Sequence, residues 1–476
     1  MELATTNPHT FELPTEILCI IFWLACGPSP FENGAEHLPA YTEVPISHVC
    51  RRWRSTSLNY PKLWTTIIYD IRLRKMRRHQ VVDHLKTYIR RAAGHPLDVR
   101  FASLQLYDED NVYLMLELLL GNSSTWHRIS LTLPFYIFET KLIDRLRDTH
   151  APLLESYEIE VCGYHPSSYL PNPPSTPILS LGSPRLTHLS FRTLVFPWSI
   201  PCSPNLTTIH IEALKYTYTR TAFFSILRLP SLTTLSVGRV TFLDIFDVTS
   251  GVEPIIAHEL VQFRCSAVAV ARCIWYFVRA PKLDILVLEG IPINSCLFPP
   301  AALSAADSGD GVANIFPSVR TVVILDCEVQ GGIRTDAKDL ASATRSVTNL
   351  LVSSADPSNS IFSSILYYHQ QGAQLWPNLE FIALNLFETQ RFFQPSQIMD
   401  FLISRSGLHH PRLKMILSED VASTWKDEDP ISWSTFLESG HYNQASPDRA
   451  IADIAHSFNP DGIFHQPPDH LDPNRY

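Results

Sequence analysis

Pro184-Arg185-Leu186-Thr187-His188-Leu189-Ser190-Phe191 is the stretch that decides how most of this chain reads. A leucine two residues after proline is followed by apolar residues three and five positions further on. That spacing describes a turn leading into a short strand whose alternate side chains point inward. The same phrase recurs as Pro152-Leu153-Leu154…Tyr157…Ile159, Pro204-Asn205-Leu206…Ile209…Ile211 and Pro230-Ser231-Leu232…Leu235…Val237. It returns as Pro281-Lys282-Leu283…Leu286…Leu288, Pro317-Ser318-Val319…Val322…Ile324 and Pro377-Asn378-Leu379…Ile382…Leu384, and fades at Pro411-Arg412-Leu413…Ile416. Copies without proline fill the wide gaps: Trp126…Ile129…Leu131, Leu260…Phe263…Cys265 and Val347…Leu350…Val352. Successive copies lie roughly 20 to 36 residues apart, the interval of stacked α/β repeats. Thr221–Leu229, Val268–Arg279, Ile361–Gln371 and Gln397–Arg405 have helical periodicity between them. The expected fold class is α/β: an irregular solenoid over residues 96–420, parallel strands on its concave side and helices outside, each unit burying its apolar face against the next.

Bulk composition narrows the function classes. The 476 residues are 45% apolar and 18% charged, with a net charge of −9 and a pI near 6.1. A chain this acidic has no general affinity for nucleic acid, which requires clustered cations to release counterions. With 36 prolines and 17 glycines, turns are abundant and glycine-rich phosphate loops are not expected. The nine cysteines contain no C-x-x-C pair and read as reduced thiols rather than a disulfide framework or zinc site. The start is polar and lacks a basic signal-peptide region, and the most apolar run, Ile17–Cys26, is about half of a membrane span. A cytoplasmic or nuclear protein without membrane contact is expected.

No G-x-S-x-G, G-x-x-x-x-G-K-[ST] or H-E-x-x-H is present. His409-His410 reads as surface, and Asp307–Gly311 lacks the alternating acids of a calcium loop. No catalytic residue, metal site or cofactor is expected, so binding is the expected work.

The amino end differs from the repeats. Leu13-Pro14-Thr15-Glu16 opens an apolar helix continued by Ile17, Leu18, Ile21, Phe22 and Leu24, and Gly27-Pro28-Ser29-Pro30 stops it. Helical periodicity resumes over Val44–Leu58, with Ile46, Val49, Cys50 and Trp53 on one face and Arg51, Arg52 and Arg54 off it. Leu63, Trp64, Ile67 and Ile68 extend the apolar pattern. Short helices this apolar cannot all cover one another, so a partner or the next domain must do so. Residues 71–95 read as a basic linker helix with Val81, Val82, Leu85, Tyr88 and Ile89 buried. Its Arg72, Arg74, Lys75, Arg77 and Arg78 suit a solvated face, since no aromatic platform accompanies them.

Leu13-Pro14-Thr15-Glu16-Ile17-Leu18-Cys19-Ile20-Ile21-Phe22, followed by Ile46-Ser47-His48-Val49-Cys50-Arg51-Arg52-Trp53-Arg54, resembles an F-box. Tyr60-Pro61-Lys62-Leu63-Trp64 and Gly94-His95-Pro96-Leu97-Asp98-Val99-Arg100-Phe101 strengthen the resemblance to F-box-like proteins with irregular leucine-rich repeats, numerous in fungi. The resemblance implies an F-box-like helical domain over residues 11–70, and a substrate-recognition adaptor of a cullin–RING (SCF-type) ubiquitin ligase, itself non-catalytic. Its box would dock to a Skp-family adaptor through Leu13, Pro14, Ile17, Leu18, Ile21, Phe22, Val49, Cys50 and Trp53, and its repeats would hold an unknown protein substrate. The alternative is a repeat scaffold whose box has drifted and no longer engages a ligase. Three residues past each strand, typical repeats carry Asn or Cys. Here Leu194, Leu214, Val240, Ile291 and Phe387 stand beside Cys162 and Cys327, so irregularity is expected.

If Leu186, Leu189 and Phe191 point inward, His188, Ser190 and Arg192 project from the other face of the sheet. The equivalent later rows turn apolar, and Ile285, Val287, Val323, Leu325 and Phe381 form the expected target-binding patch. Residues 421–476, rich in Pro, Asp and His, are expected to be a loosely ordered tail that could fold back over it.

Overall fold

The proline-rich turns and β-branched runs that mark the repeats become parallel strands in a computed structural model. It describes residues 13–26, 42–70, 78–103, 109–134, 142–162, 177–192, 200–201, 203–212, 217–218, 220–238, 241–242, 254–293, 315–327, 335–354, 361–386, 395–405, 413–439 and 441. Arg72, Arg74, Lys75, Arg77, the Asp307–Gly311 loop, His409-His410, and Leu194, Leu214, Val240 and Phe387 lie outside these. The described residues fall into two units, one within Met1–Tyr169 and Ile178–Leu186, the other within Thr187–Phe458.

The first unit opens with helices α1 (Thr15–Ala25), α2 (Glu43–His48) and α3 (Arg51–Leu58) and a 3-10 turn at Pro61–Trp64. Strands β1 (Thr66–Asp70), β2 (Leu97–Ala102), β3 (Trp126–Pro134) and β4 (Ser156–Cys162) follow, with α4 (Arg78–Ala92), α5 (Glu109–Leu120) and α6 (Ile143–Arg147) in the connections. The four strands pair in chain order, all parallel. Ile67, Val99, Ile129 and Tyr157 share one register row and are all buried.

Two sequence expectations need correction here. Ile67 and Ile68, read as an extension of the apolar pattern within a helical domain, belong to a strand; Thr66-Ile67-Ile68-Tyr69 is a β-branched and aromatic run, and it makes the edge strand of this sheet. Val44–Leu58 is also two helices rather than one. Cys50 is extended between them (φ −157°, ψ 171°), and its Sγ caps α3 by accepting from the Trp53 N–H at 3.4 Å.

The N-terminal ends of the strands are tied by one imidazole. His127 Nδ1 lies 2.9 Å from Asp98 Oδ1, and its Nε2 lies 3.2 Å from Glu155 Oε2. The Asp98 hydrogen bond, opposed by burial and helped by the Asp98 and Glu155 charges, holds His127 above its ordinary pKa. A folded-state value raised this way gives stability that is complete below about pH 6.5 and is lost as pH rises through the raised value. We expect His127→Gln to remove that part of the pH dependence from urea midpoints. A midpoint-versus-pH curve parallel to the parent's contradicts the clamp.

The second unit holds strands β5 (His188–Arg192), β6 (Thr208–Glu212), β7 (Thr234–Gly238), β8 (Gln262–Cys265), β9 (Ile285–Glu289), β10 (Thr321–Leu325), β11 (Asn349–Ser354), β12 (Phe381–Leu386) and β13 (Lys414–Leu417). They too pair parallel in chain order. Leu206, Leu232, Leu283, Leu379 and Leu413, the leucines of the recurring phrase, are buried. The proline-free copies at Gln262–Cys265 and Asn349–Ser354 are strands as well. Helices α7 (Arg220–Leu227), α8 (Val268–Phe277), α10 (Ile361–Gln370) and α11 (Pro395–Arg405) lie in the connections close to their expected bounds, and α9 (Thr335–Ala343) is a further helix that the sequence reading did not expect. Sequential parallel strands joined by right-handed crossovers place such helices on one side of a sheet.

What this amounts to is a mixed α/β chain with a large parallel sheet. The leucine-rich-repeat solenoid expected over 96–420 is not what the structure shows. Register partners are 20 residues apart at His188↔Thr208 and 36 at Ile285↔Thr321, so no constant repeat is stacked.

The expected loose tail is also corrected in part. Glu419–Glu428 and Pro430–Ser439 form helices α12 and α13, whose Trp425, Trp433 and Phe436 rings cluster at centroid distances of 5.0–6.0 Å. The Met415 N–H donates to the His441 carbonyl at 2.7 Å, which covers part of the last strand's edge. Residues 442–476 lie outside the described residues.

Candidate functional site

Helix α1 carries apolar residues on more of its circumference than the fold uses. Leu18 and Phe22, one turn apart, are 2% and 0% exposed, and the Phe22 ring meets Trp53 of α3 at 4.9 Å. Ile17, Ile20, Ile21 and Leu24 are 41%, 50%, 39% and 64% exposed. Their i, i+3, i+4, i+7 spacing is one continuous stripe, and exposed Leu13 precedes it in phase. Trp23, Val44 and Val49 are exposed apolar residues of the same helical region. Folding normally removes such surface from water at about 25 cal/mol per Å2, so a stripe left out is surface kept for something else.

The sequence-expected docking residues therefore divide. Leu13, Pro14, Ile17, Ile21, Val49 and Cys50 are exposed, and Trp53 is half-buried. Leu18 and Phe22 are buried in the core, Phe22 against Trp53 of α3, and present no contact surface. Ile20, Trp23, Leu24 and Val44 are exposed as well and were not among the expected residues. Extending the periodicity from Leu13 and Ile17 in steps of three and four would have found Ile20 and Leu24.

The helices are fastened to the first sheet layer by a buried polar contact. The Tyr88 hydroxyl of α4 donates to Glu43 Oε1 at the start of α2. Beside it Trp64 lies edge-on to Tyr88 at 5.1 Å, donates from Nε1 to the Ser57 carbonyl at 2.9 Å, and is covered by the Arg91 guanidinium at 4.2 Å. A shallow hollow of about 340 Å3 borders this junction, lined by Val44, Trp64, Tyr88 and Arg91 among others. Burial pushes the Glu43 carboxyl up, against the lowering effect of the Tyr88 bond. Stability from a raised carboxyl is present at low pH and lost as pH rises through its folded value. Tyr88→Phe removes the opposing bond, so we expect a loss of about 1–3 kcal/mol that grows more steeply with pH than in the parent. Urea titrations across the pH range check this; an unchanged slope contradicts it.

The second candidate surface lies on the sheet of the larger unit. Ser190, His210 and Ser236 share a register row, with His188 and His210 ring centroids 5.1 Å apart, but all four side chains are buried and present no contact surface. Arg264 Nε and Nη2 donate to Glu289 Oε2 at 3.0 and 2.6 Å. The expected apolar patch does not survive intact. Val287 and Val323 are register partners, 3% and 2% exposed, so neither presents a contact surface. Ile285, Leu325 and Phe381 are half-buried. Among the described residues no group of three or more His, Cys, Asp or Glu is placed to hold a metal, and no helix is long and apolar enough to cross a membrane.

Compared with known protein families, residues 10–70 match the F-box-like family. That segment, containing α1 to α3 and the exposed stripe, is an F-box-like domain. No curated protein matches the chain.

Proposed function

We propose that the chain is the substrate-recognition adaptor of an SCF-type ubiquitin ligase. Its box docks on a Skp-family adaptor, and its parallel-sheet region holds a protein target. The observation that carries this is the stripe Leu13, Ile17, Ile20, Ile21 and Leu24, left in water by an F-box-like domain whose own core is already closed. The protein does no chemistry in this role; it raises the effective concentration of target lysines near a charged conjugating enzyme. Target contact is assigned in this proposal to the half-buried Ile285, Leu325 and Phe381. Co-purification of the full chain with a Skp-family adaptor tests the ligase link. The parent should retain the adaptor, and Ile17→Asp and Trp53→Ala should lose most of it. Equal recovery of all three proteins speaks for a scaffold with no ligase link.

A further inference from the structure

Thr87, Tyr88 and Arg91 are spaced three and four residues apart around Lys86 to Ala92 and share one face of α4. That face lines the hollow of about 340 Å3 together with Trp64 and the exposed Val44 of α2. The Arg91 guanidinium lies over the Trp64 ring, 4.2 Å from its centroid. Guanidinium N–H donors lie in the plane of the group, so stacking on a ring uses none of them. Arg91 is half-buried, and among the described residues its side chain makes no hydrogen bond and no ion pair with a carboxylate. Burial, then the Arg90 charge, and also that of Arg54, hold it below its usual pKa, with Tyr88 acting the other way. Asp83 lines the hollow too, but it pairs with none of these cations and leaves Arg54, Arg90 and Arg91 in excess. A partly desolvated cation with idle donors beside an apolar hollow suits an oxyanion that carries an apolar body.

We propose that this hollow binds a small aromatic oxyanion, its carboxylate or phosphate on the Arg91 N–H donors and its ring in the hollow beside Val44 and Tyr88. No residue of α1 lines the hollow, so the inference is independent of the adaptor reading. A neutral aromatic molecule would fill the space and leave the Arg91 donors without an acceptor. Inorganic phosphate would meet those donors and leave Val44 in water. An aromatic acid does both. Ligand pockets run from roughly 300 to 1,000 Å3, and this one lies at the small end, which limits the body to one or two fused rings. For a ligand of about 13 non-hydrogen atoms in a shallow site, a dissociation constant of about 10 µM to 1 mM is expected.

The test is isothermal titration of the full chain with naphthoate, naphthyl phosphate and the neutral naphthamide. At least one of the two acids should bind in that range, and the tighter of them names the oxyanion. Naphthamide keeps the ring and loses the charge, so it should bind about tenfold or more weakly. Arg91→Met keeps a side chain over Trp64 but no donors, and should weaken the acid about tenfold or more. Thr87→Trp fills the hollow without touching the donors and should also lose the acid. A urea midpoint on each variant confirms its fold, and either variant is decisive by itself when folded. No binding by either acid, equal binding of acid and amide, or parent-like binding by a folded variant overturns the inference. Displacement of the bound acid by a Skp-family adaptor assigns the hollow to the docking face and also overturns it.

Discussion

Ile17→Asp and Ile21→Asp are expected to leave the protein folded and to weaken adaptor binding by about 30- to 1000-fold each. Both side chains are about two-fifths exposed in the free chain, so an aspartate there meets water and not a core. Surface substitutions of this kind change stability by about 0.5 kcal/mol or less. In the proposed complex the same positions lie at the centre of the stripe. A desolvated apolar anchor is worth about 2–4 kcal/mol, and every 1.4 kcal/mol is tenfold in affinity. An aspartate pressed into an apolar groove adds a desolvation cost of its own. Titration calorimetry gives the affinity, and a urea midpoint taken on the same preparation confirms the fold. Parent-like affinity in both variants removes the stripe as the docking surface.

Phe22→Ala is expected to do the reverse, damaging the fold directly. Phe22 is fully buried one turn from Leu18, against the Trp53 ring, so truncation leaves a cavity between α1 and α3. Large-to-small changes at such a site cost about 3–5 kcal/mol, a large share of the roughly 5–15 kcal/mol that holds a domain together. The loss should be local to the box, since among the described residues α1 packs chiefly on α3 and the Pro61–Trp64 turn. Near-UV circular dichroism and protease sensitivity at residues 13–60 report it. Full retention of both would show that Phe22 is not the keystone of the box. Adjacent residues on one helix are thus predicted to fail in different ways, Ile21 at the interface and Phe22 in the core.

The strands were legible because most copies of the recurring phrase mark a strand twice, by proline placement and by apolar residues at fixed offsets. Even Gln262–Cys265 and Asn349–Ser354, which lack the proline, follow the phase. β1 was not legible, because Ile67 and Ile68 sit at a spacing that also suits a helix, and only its parallel pairing with Val99 and Arg100 decides for strand. Membership of the candidate site was half legible. Sequence shows that α1 is too apolar for its length, but which residues face inward depends on where Trp53 packs, a contact 31 positions away that no local pattern encodes. The same limit applies to Val287 and Val323. Alternation puts them on the face opposite Leu286 and Val322, and it says nothing of whether that face is open.

Hydrogen–deuterium exchange of the full chain, with and without a Skp-family adaptor, tests the central claim most directly. Adaptor addition should slow exchange in peptides covering Leu13–Ala25 and Glu43–Leu58 and leave the strands of the larger unit unchanged. No added protection over Leu13–Ala25 at a saturating adaptor concentration would contradict the docking role of the exposed stripe.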